Sequence, residues 1–300
     1  MFERIRYQLS RLVDKNGRSA CLLLLGLVWL TIPFQASAEE ASDPGFIRIL
    51  AGNLTSGNLQ SYDPGHGARI LQGMKPDIAL LQEARFGDNS ETQWAGWILA
   101  VLGKDFFFFR ESLELPNAVV SRFPILESGS WDDPEQVNRD FAWARLQLTS
   151  GQKLLAVSVH LSAKNEDKRK SSAQALARKV ERHLGLDELL VIGGDFNTQT
   201  RNEPALKILR KLVVIEEPYP VDEDGNENTN RNRMKPYDAV YVNKALQDKE
   251  KPVSLVEGKG GLVFDSRVFR DLSKVPPVQK EDSDAPQMQH MAVIRDFALD

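Results

Sequence analysis

Cysteine is almost absent from this chain of 300 residues, and the single one, Cys21, lies close to the N-terminus. Past residue 21 there is no second sulfur with which to close a disulfide and no thiol to act as a nucleophile. Histidine is scarce as well, at four residues. A histidine standing beside other polar groups therefore carries more weight than it would in a histidine-rich chain. Surplus positive charge is missing too: 38 Lys and Arg face 42 Asp and Glu, for a net charge of −4. That balance excludes a protein that coats nucleic acid by bulk charge, though not one with a local basic groove. No internal repeat is visible, and the one long apolar run, residues 22–34, has 13 residues. It is short for a membrane span.

What the N-terminus does have is the pattern of a secretory leader. Arg4, Arg6, Arg11, Lys15 and Arg18 precede the apolar run, and Ala36-Ser37-Ala38 offers small residues before Glu39. We expect a signal peptide over 1–38, and a periplasmic or secreted mature chain over 39–300. The alternative is a leader that stays uncleaved and anchors the chain to a membrane. Cys21 opens the apolar run instead of following it, the wrong place for a lipid-modified cleavage site. Removing the five basic and two acidic leader residues leaves 33 basic against 40 acidic, a net charge of −7. The length suits one large α/β domain.

Apolar patterning predicts strands at 46–54, 78–81, 106–109, 118–120, 189–193, 238–242 and 291–297, and a hairpin from 141–148 to 154–161. Helical spacing appears at 66–75, 92–102, 168–184 and 203–212. Trp94 and Trp97 share a helical face and read as core. Lys168, Arg169, Lys170, Arg178, Lys179 and Arg182 read as a solvated face. Residues 222–235 are polar with no core face, which marks a loop. Helices and strands mix without strict alternation and hairpins intervene. This favours an α/β sandwich with mixed sheets over a purely parallel one.

Polar residues gather at strand ends. Asn53, Glu83, His160, Asp195 with Asn197, Asp238 and His290 each stand at or beside the end of an apolar run, where open α/β sheets carry their ligands and catalytic groups. In "VIGGDFNT" (191–198) a strand running on through Gly194 would put Asp195 and Asn197 on one face and Phe196 on the other.

These segments resemble the endonuclease/exonuclease/phosphatase superfamily, the deoxyribonuclease-like Mg²⁺-dependent phosphodiesterases. "VIGGDFNT" is similar to its Gly-Asp-Phe-Asn motif. "ILAGNL" (49–54), "LLQE" (80–83), "NAVVSRFPI" (117–125), "VSVHLSA" (157–163), "YDAVYV" (237–242) and "QHMAVIRDF" (289–297) match its other motifs in family order. The resemblance spans about residues 46–298. It implies a four-layer α/β sandwich with two packed mixed β-sheets, and a metal-dependent phosphodiester hydrolase using Mg²⁺ or Mn²⁺. It implies Glu83 as metal ligand and Asn53 as its companion. Gln289 replaces the Asp commonly linked to the metal, and offers a neutral oxygen to a cation that prefers carboxylate. Asp195 would activate water, Asn197 would bind a phosphate oxygen, and Asp238 would hold His290 as an imidazolium. His160 would act near the leaving group. Arg139 would contact phosphate, as would Arg231 and Arg233, with Lys235 beside them. The expected substrate is nucleic acid or another phosphodiester, handled by a monomer without an obligate protein partner. A phospholipid or sphingomyelin phosphodiesterase, and a metal-poor binding protein derived from the family, are the alternatives.

Overall fold

Two sets of side chains alternate along nearly every central strand, and each set belongs to a different core. In β7 (Lys153–His160) Leu154 and Ala156 face one core while Leu155, Val157 and Val159 face another. β8 (Leu189–Asp195) repeats this with Leu189 and Val191 against Leu190 and Ile192. A strand buried on both faces reads as a continuous apolar run, and the two-residue period sorts it into two layers.

The computed structural model describes residues 45–54, 65–257 and 260–299. The expected leader over 1–38, with Cys21, lies outside the described residues. No helix among the described residues is long and apolar enough to cross a membrane.

Seven strands form the first sheet: β1 (Phe46–Asn53), β2 (Ile78–Gln82), β3 (Phe107–Arg110), β4 (Ala118–Ser121), β10 (Glu250–Lys251), β11 (Gly261–Phe264) and β12 (Ala292–Ala298). Their order is β10-β12-β1-β2-β4-β3, and β11 also pairs with β12. The second sheet runs β5 (Ile125–Trp131), β6 (Phe141–Gln147), β7, β8 and β9 (Asp238–Val242), in that order. Each sheet is mixed. β1 and β2 are parallel, as are β7 and β8, and the remaining named pairings are antiparallel. The inner faces meet over Ile49, Leu80, Ala156, Val191 and Val293. Outside the first sheet lie α1 (His66–Met74) and α2 (Glu91–Val101). Outside the second lie α3 (Glu166–His183) and α4 (Pro204–Leu209). A short α5 (Lys244–Gln247) follows β9. This is the four-layer arrangement that the sequence implies.

Asn165 caps α3 by accepting the Lys168 amide at 2.8 Å, and Glu166 and Asp167 occupy its first turn, where the helix dipole favours acids. α4 is shorter than its apolar spacing over 203–212. Pro204 fixes its first turn, and the chain leaves the helix after Leu209. β5 has no apolar run to announce it. Its sequence ILESGSW is mostly exposed because it is an edge strand. Trp94 and Trp97 are buried and stack at 5.0 Å, as their spacing implies.

Candidate active site

Register alone brings three of the sequence's candidates together. His160, Asp195 and Asp238 are successive partners across β7, β8 and β9. Neighbouring strands lie about 4.8 Å apart, so three ionisable groups share one sheet end. In the other sheet Asn53 ends β1 opposite Gln82 at the end of β2, and Glu83 follows directly.

Two glycines let these ends meet. A Cβ on Gly193 would sit 2.6 Å from Leu80 Cδ1, across the gap between the sheets. Gly194 has φ +140°, and a Cβ there would lie 2.1 Å from the Val159 carbonyl oxygen and 2.7 Å from Gln82 Nε2. Where the backbones close up, Gln82 Nε2 donates to Ser158 Oγ at 2.9 Å, and that hydroxyl donates to the Leu81 carbonyl at 2.9 Å. This cross-sheet clamp sits one residue before Glu83 and two before His160. The sequence placed Gln82 only within the LLQE motif and gave Ser158 no role. The available signal for Ser158 was a hydroxyl inside a buried strand, which needs a partner.

β8 ends at Asp195, which differs from a strand carried through to Asn197. Asn197 takes φ +51°, a left-handed value that asparagine tolerates. The turn still brings both side chains to one place, with Phe196 buried behind them. Asn197 Nδ2 donates to Asp195 Oδ2 at 3.1 Å and to the Leu161 carbonyl at 3.0 Å, while its backbone amide donates to Asp195 Oδ1 at 2.9 Å. Both amide hydrogens are thus engaged within the protein, and not held out for a phosphate oxygen. Asp195 Oδ2 also lies 3.2 Å from His160 Nε2 and 3.7 Å from His290 Nε2. His290 Nδ1 meets Asp238 Oδ2 at 2.9 Å.

The charges follow from this packing. Burial lowers the affinity of His290 for a proton. The Asp238 and Asp195 carboxylates, the hydrogen bond to Asp238 and the charge of Glu83 outweigh it, lifting His290 to about 10. Burial raises Asp195 to about 7, helped by Asp238 and opposed by His290, Asn197 and Arg139. Burial holds His160 well below the ordinary imidazole value, and the charges of Arg139 and His290 push the same way. One imidazole is a fixed cation, the other is neutral, and a carboxylate near neutrality lies between them.

Two places could hold a metal ion. Ligand atoms of Asp195, Asp238 and His290 all lie within 4.8 Å of one another. There the imidazolium already balances the carboxylates. Glu83 is the better candidate. It is buried at φ +52°, a conformation an ordinary residue adopts only under constraint, and its carboxylate accepts from Asn53 Nδ2 at 3.3 Å. Asn53 Oδ1 is buried with no hydrogen-bond partner. A carboxylate beside an amide oxygen left unsatisfied is a donor set that fits a hard divalent cation. Gln289 is exposed, and its backbone carbonyl accepts the Arg231 amide at 2.8 Å.

The arginines stand differently from their expected roles. Arg139 is buried, and its Nε donates to the His160 carbonyl at 2.8 Å and its Nη2 to the Leu161 carbonyl at 3.3 Å. It fixes the backbone that carries His160 and accepts Asn197. Arg231 spends its guanidinium on the carbonyls of Asp284, Ala285 and Pro286. Arg233 pairs with Asp222 at 2.8 Å and Asp265 at 2.6 Å. Buried acids hold the Arg233 guanidinium and backbone carbonyls hold that of Arg231, and a one-dimensional reading does not show those partners. Glu111 also escaped it. Its buried Oε2 accepts the Asn117 amide at 2.8 Å and the Asp140 amide at 3.3 Å, tying the β3–β4 loop to the segment bearing Arg139. Burial raises it to about 8. No sequence pattern distinguishes it from the nearby Glu114.

The model of the endonuclease/exonuclease/phosphatase family matches residues 57–257. Among solved structures, the fold is similar to that of an endonuclease/exonuclease/phosphatase from Beutenbergia cavernae, with TM-score 0.60 and 15% identity over 85% of this chain and 72% of that one. A family protein from Bacteroides thetaiotaomicron matches with TM-score 0.60 and 15% identity over 85% and 98% of the two chains. The human Nocturnin catalytic domain, solved with a bound sulfate anion, matches with TM-score 0.57 and 17% identity over 85% and 94%. No curated protein matches this sequence significantly. With its matched segment, its two-sheet fold and the acid and histidine cluster between the sheet ends, this chain belongs to the endonuclease/exonuclease/phosphatase family of metal-using phosphodiesterase and nuclease-type hydrolases.

Proposed function

We propose that this chain is a Mg²⁺- or Mn²⁺-dependent phosphodiesterase whose substrate is nucleic acid, and that it works in the periplasm or outside the cell. The observation that carries the chemistry is Asp195 Oδ2, set between His160 Nε2 at 3.2 Å, Asn197 Nδ2 at 3.1 Å and His290 Nε2 at 3.7 Å. Glu83 and Asn53 would hold the cation. When bound, it would neutralise charge on the phosphate.

The protein's own groups supply the rest. Asp195, raised to about 7, takes a proton from the attacking water as its oxygen bonds to phosphorus. Asn197 and His160 hold the carboxylate in place for this. The His290 imidazolium faces the negative charge that builds on the phosphoryl oxygens, and Asp238 keeps it charged and oriented. As the ester bond breaks, the departing oxygen takes a proton from water and Asp195 returns its own to solvent, while His160, kept neutral by burial, keeps its Nε2–H on Asp195 Oδ2 at 3.2 Å.

Nucleic acid is favoured over lipid because the two tryptophans of α2 that could have docked on a membrane are core residues, 0% and 6% exposed. The location rests on the basic and apolar composition of residues 1–38. Cell fractionation with N-terminal sequencing tests it, and an intact leader on cytoplasmic protein would refute it. The activity is tested with purified protein on DNA, RNA, phospholipid and a chromogenic diester, with Mg²⁺ or Mn²⁺ and a His160→Ala control. Cleavage of nucleic acid that the substitution abolishes is expected. Cleavage of phospholipid alone, or of no diester at all, contradicts the proposal.

A further inference from the structure

A groove of about 540 Å³ opens beside the catalytic cluster and plays no part in the chemistry above. Its walls come from the loop after β7, the loop after β8 and the segment before β9, and include Lys164, Gln199, Lys235 and Tyr237. Two residues join it to the site. Tyr237 lies against the His290 ring, with centroids 5.9 Å apart, and Gln199 Nε2 donates to the Asn197 carbonyl at 3.4 Å.

The wall is rigid where it matters. Thr198 Oγ1 donates to the Pro236 carbonyl at 3.0 Å, and the Phe196 amide donates to the Tyr237 carbonyl at 2.7 Å. The segment carrying Lys235 and Tyr237 is thereby fastened to the turn carrying Asp195 and Asn197. Lys235 Nζ stands 5.9 Å from the centre of the Tyr237 ring, so an aromatic face and a cation occur side by side. Arg169 and Glu203 also line the groove but pair with each other at 2.7 Å and add little net field. Of the remaining charges, Lys164 and Lys235 outnumber Glu166.

We infer that this groove binds the nucleotide unit next to the scissile phosphate, with Tyr237 against its base or sugar and Lys235 near its phosphate. The inference rests on the proposed phosphodiesterase reading and sharpens it, making the substrate a polynucleotide of at least two linked units. The groove has the capacity of a small-ligand pocket, which suits one such unit. An aromatic beside cations is the usual equipment for holding single-stranded nucleic acid. Lipid tails are a poor match, because most of the lining is polar or charged.

The test compares the full chain with Lys235→Ala and Tyr237→Ala on a ten-nucleotide oligonucleotide and on bis(p-nitrophenyl) phosphate, which has no neighbouring nucleotide. Lys235→Ala should lower kcat/KM for the oligonucleotide about tenfold more than for the small diester, mainly through KM. It should also flatten the salt dependence of oligonucleotide cleavage by nearly one unit of slope. Tyr237→Ala removes the ring and should lose more on the oligonucleotide than on the small diester. Equal losses on the two substrates, or none on the oligonucleotide, overturn the groove assignment while leaving the hydrolase reading intact. Fluorescence anisotropy with a labelled oligonucleotide in EDTA needs no turnover. Weaker binding by Lys235→Ala supports the groove even if the wild type cleaves neither substrate, an outcome that would remove the hydrolase reading alone. Unchanged binding overturns the groove.

Discussion

Replacing Asp238 with Asn keeps the shape of the side chain and removes its charge. The substitution should therefore isolate what the carboxylate does for His290. Lifting an imidazole from 6.5 to about 10 corresponds to ~5 kcal/mol of preference for the imidazolium, at ~1.4 kcal/mol per pH unit. Asp238 contributes both the largest favourable charge and the hydrogen bond at 2.9 Å, with Asp195 and Glu83 adding the remainder. A charged hydrogen bond alone is worth ~1.5–3 kcal/mol. With the charge lost as well, the His290 pKa should fall by roughly 2 pH units or more. Losing one positioned cation at the transition state costs about 10²–10³ in rate. Two assays measure these effects: an NMR titration of the histidine ring protons in EDTA, and kcat/KM at pH 9, where wild-type His290 is still mostly charged and the variant's is mostly neutral. The fold should register the change too. The folded pKa of His290 lies above its unfolded value. Its stabilisation is therefore complete below pH 6.5 and is lost as pH rises through about 10. Urea melts of Asp238→Asn should show a flatter profile across that window. If His290 still titrates near 10 in the variant, or activity at pH 9 is unchanged, the charge relationship drawn between β9 and His290 is wrong.

Three further perturbations follow. Asp195→Asn should cut kcat/KM by about 10²–10⁴; it should also remove the rise in wild-type activity through about pH 7 that marks ionisation of Asp195, as read from pH–rate profiles. Glu111, raised from 4.5 to about 8, stabilises the fold below pH 4.5 and loses that contribution as pH climbs through 8. Glu111→Gln should flatten that fall, worth roughly 3–5 kcal/mol, in chemical denaturation at pH 5 and pH 9. Gly194→Ala forces a methyl to within 2.1 Å of the Val159 carbonyl and should cost roughly 2–4 kcal/mol. Wild-type melting temperature and activity in that variant would contradict the account of how β8 approaches β2.

The layers were legible because strands buried on two faces leave long apolar runs. The gathering of the candidate residues was legible because an acid, an amide or a histidine at the end of such a run has little reason to be there. Asn53, Glu83, His160, Asp195, Asp238 and His290 all announced themselves in this way. What stayed hidden depends on partners far away in sequence. Nothing local tells Arg233 that Asp265 will take its guanidinium, or Arg139 that the His160 carbonyl will. Asn197 was placed on the right side of Phe196 by strand alternation, although a left-handed turn puts it there. Glu111 and Ser158 carry no repeating pattern, and only the closure of one loop or sheet on another gives them a role. β5 was invisible because an exposed edge strand has no apolar face to display.

The central claim is a division of labour, with the cation at Glu83 and Asn53, and a cluster of Asp195, Asp238 and His290 that activates water and supplies a fixed positive charge. The most direct measurement is a crystal structure with Mn²⁺, its position fixed by anomalous scattering. The account expects a manganese peak bonded to the Glu83 carboxylate, with Asn53 Oδ1 beside it and His290 still paired to Asp238. Manganese seated among Asp195, Asp238 and His290, with none at Glu83, would contradict it.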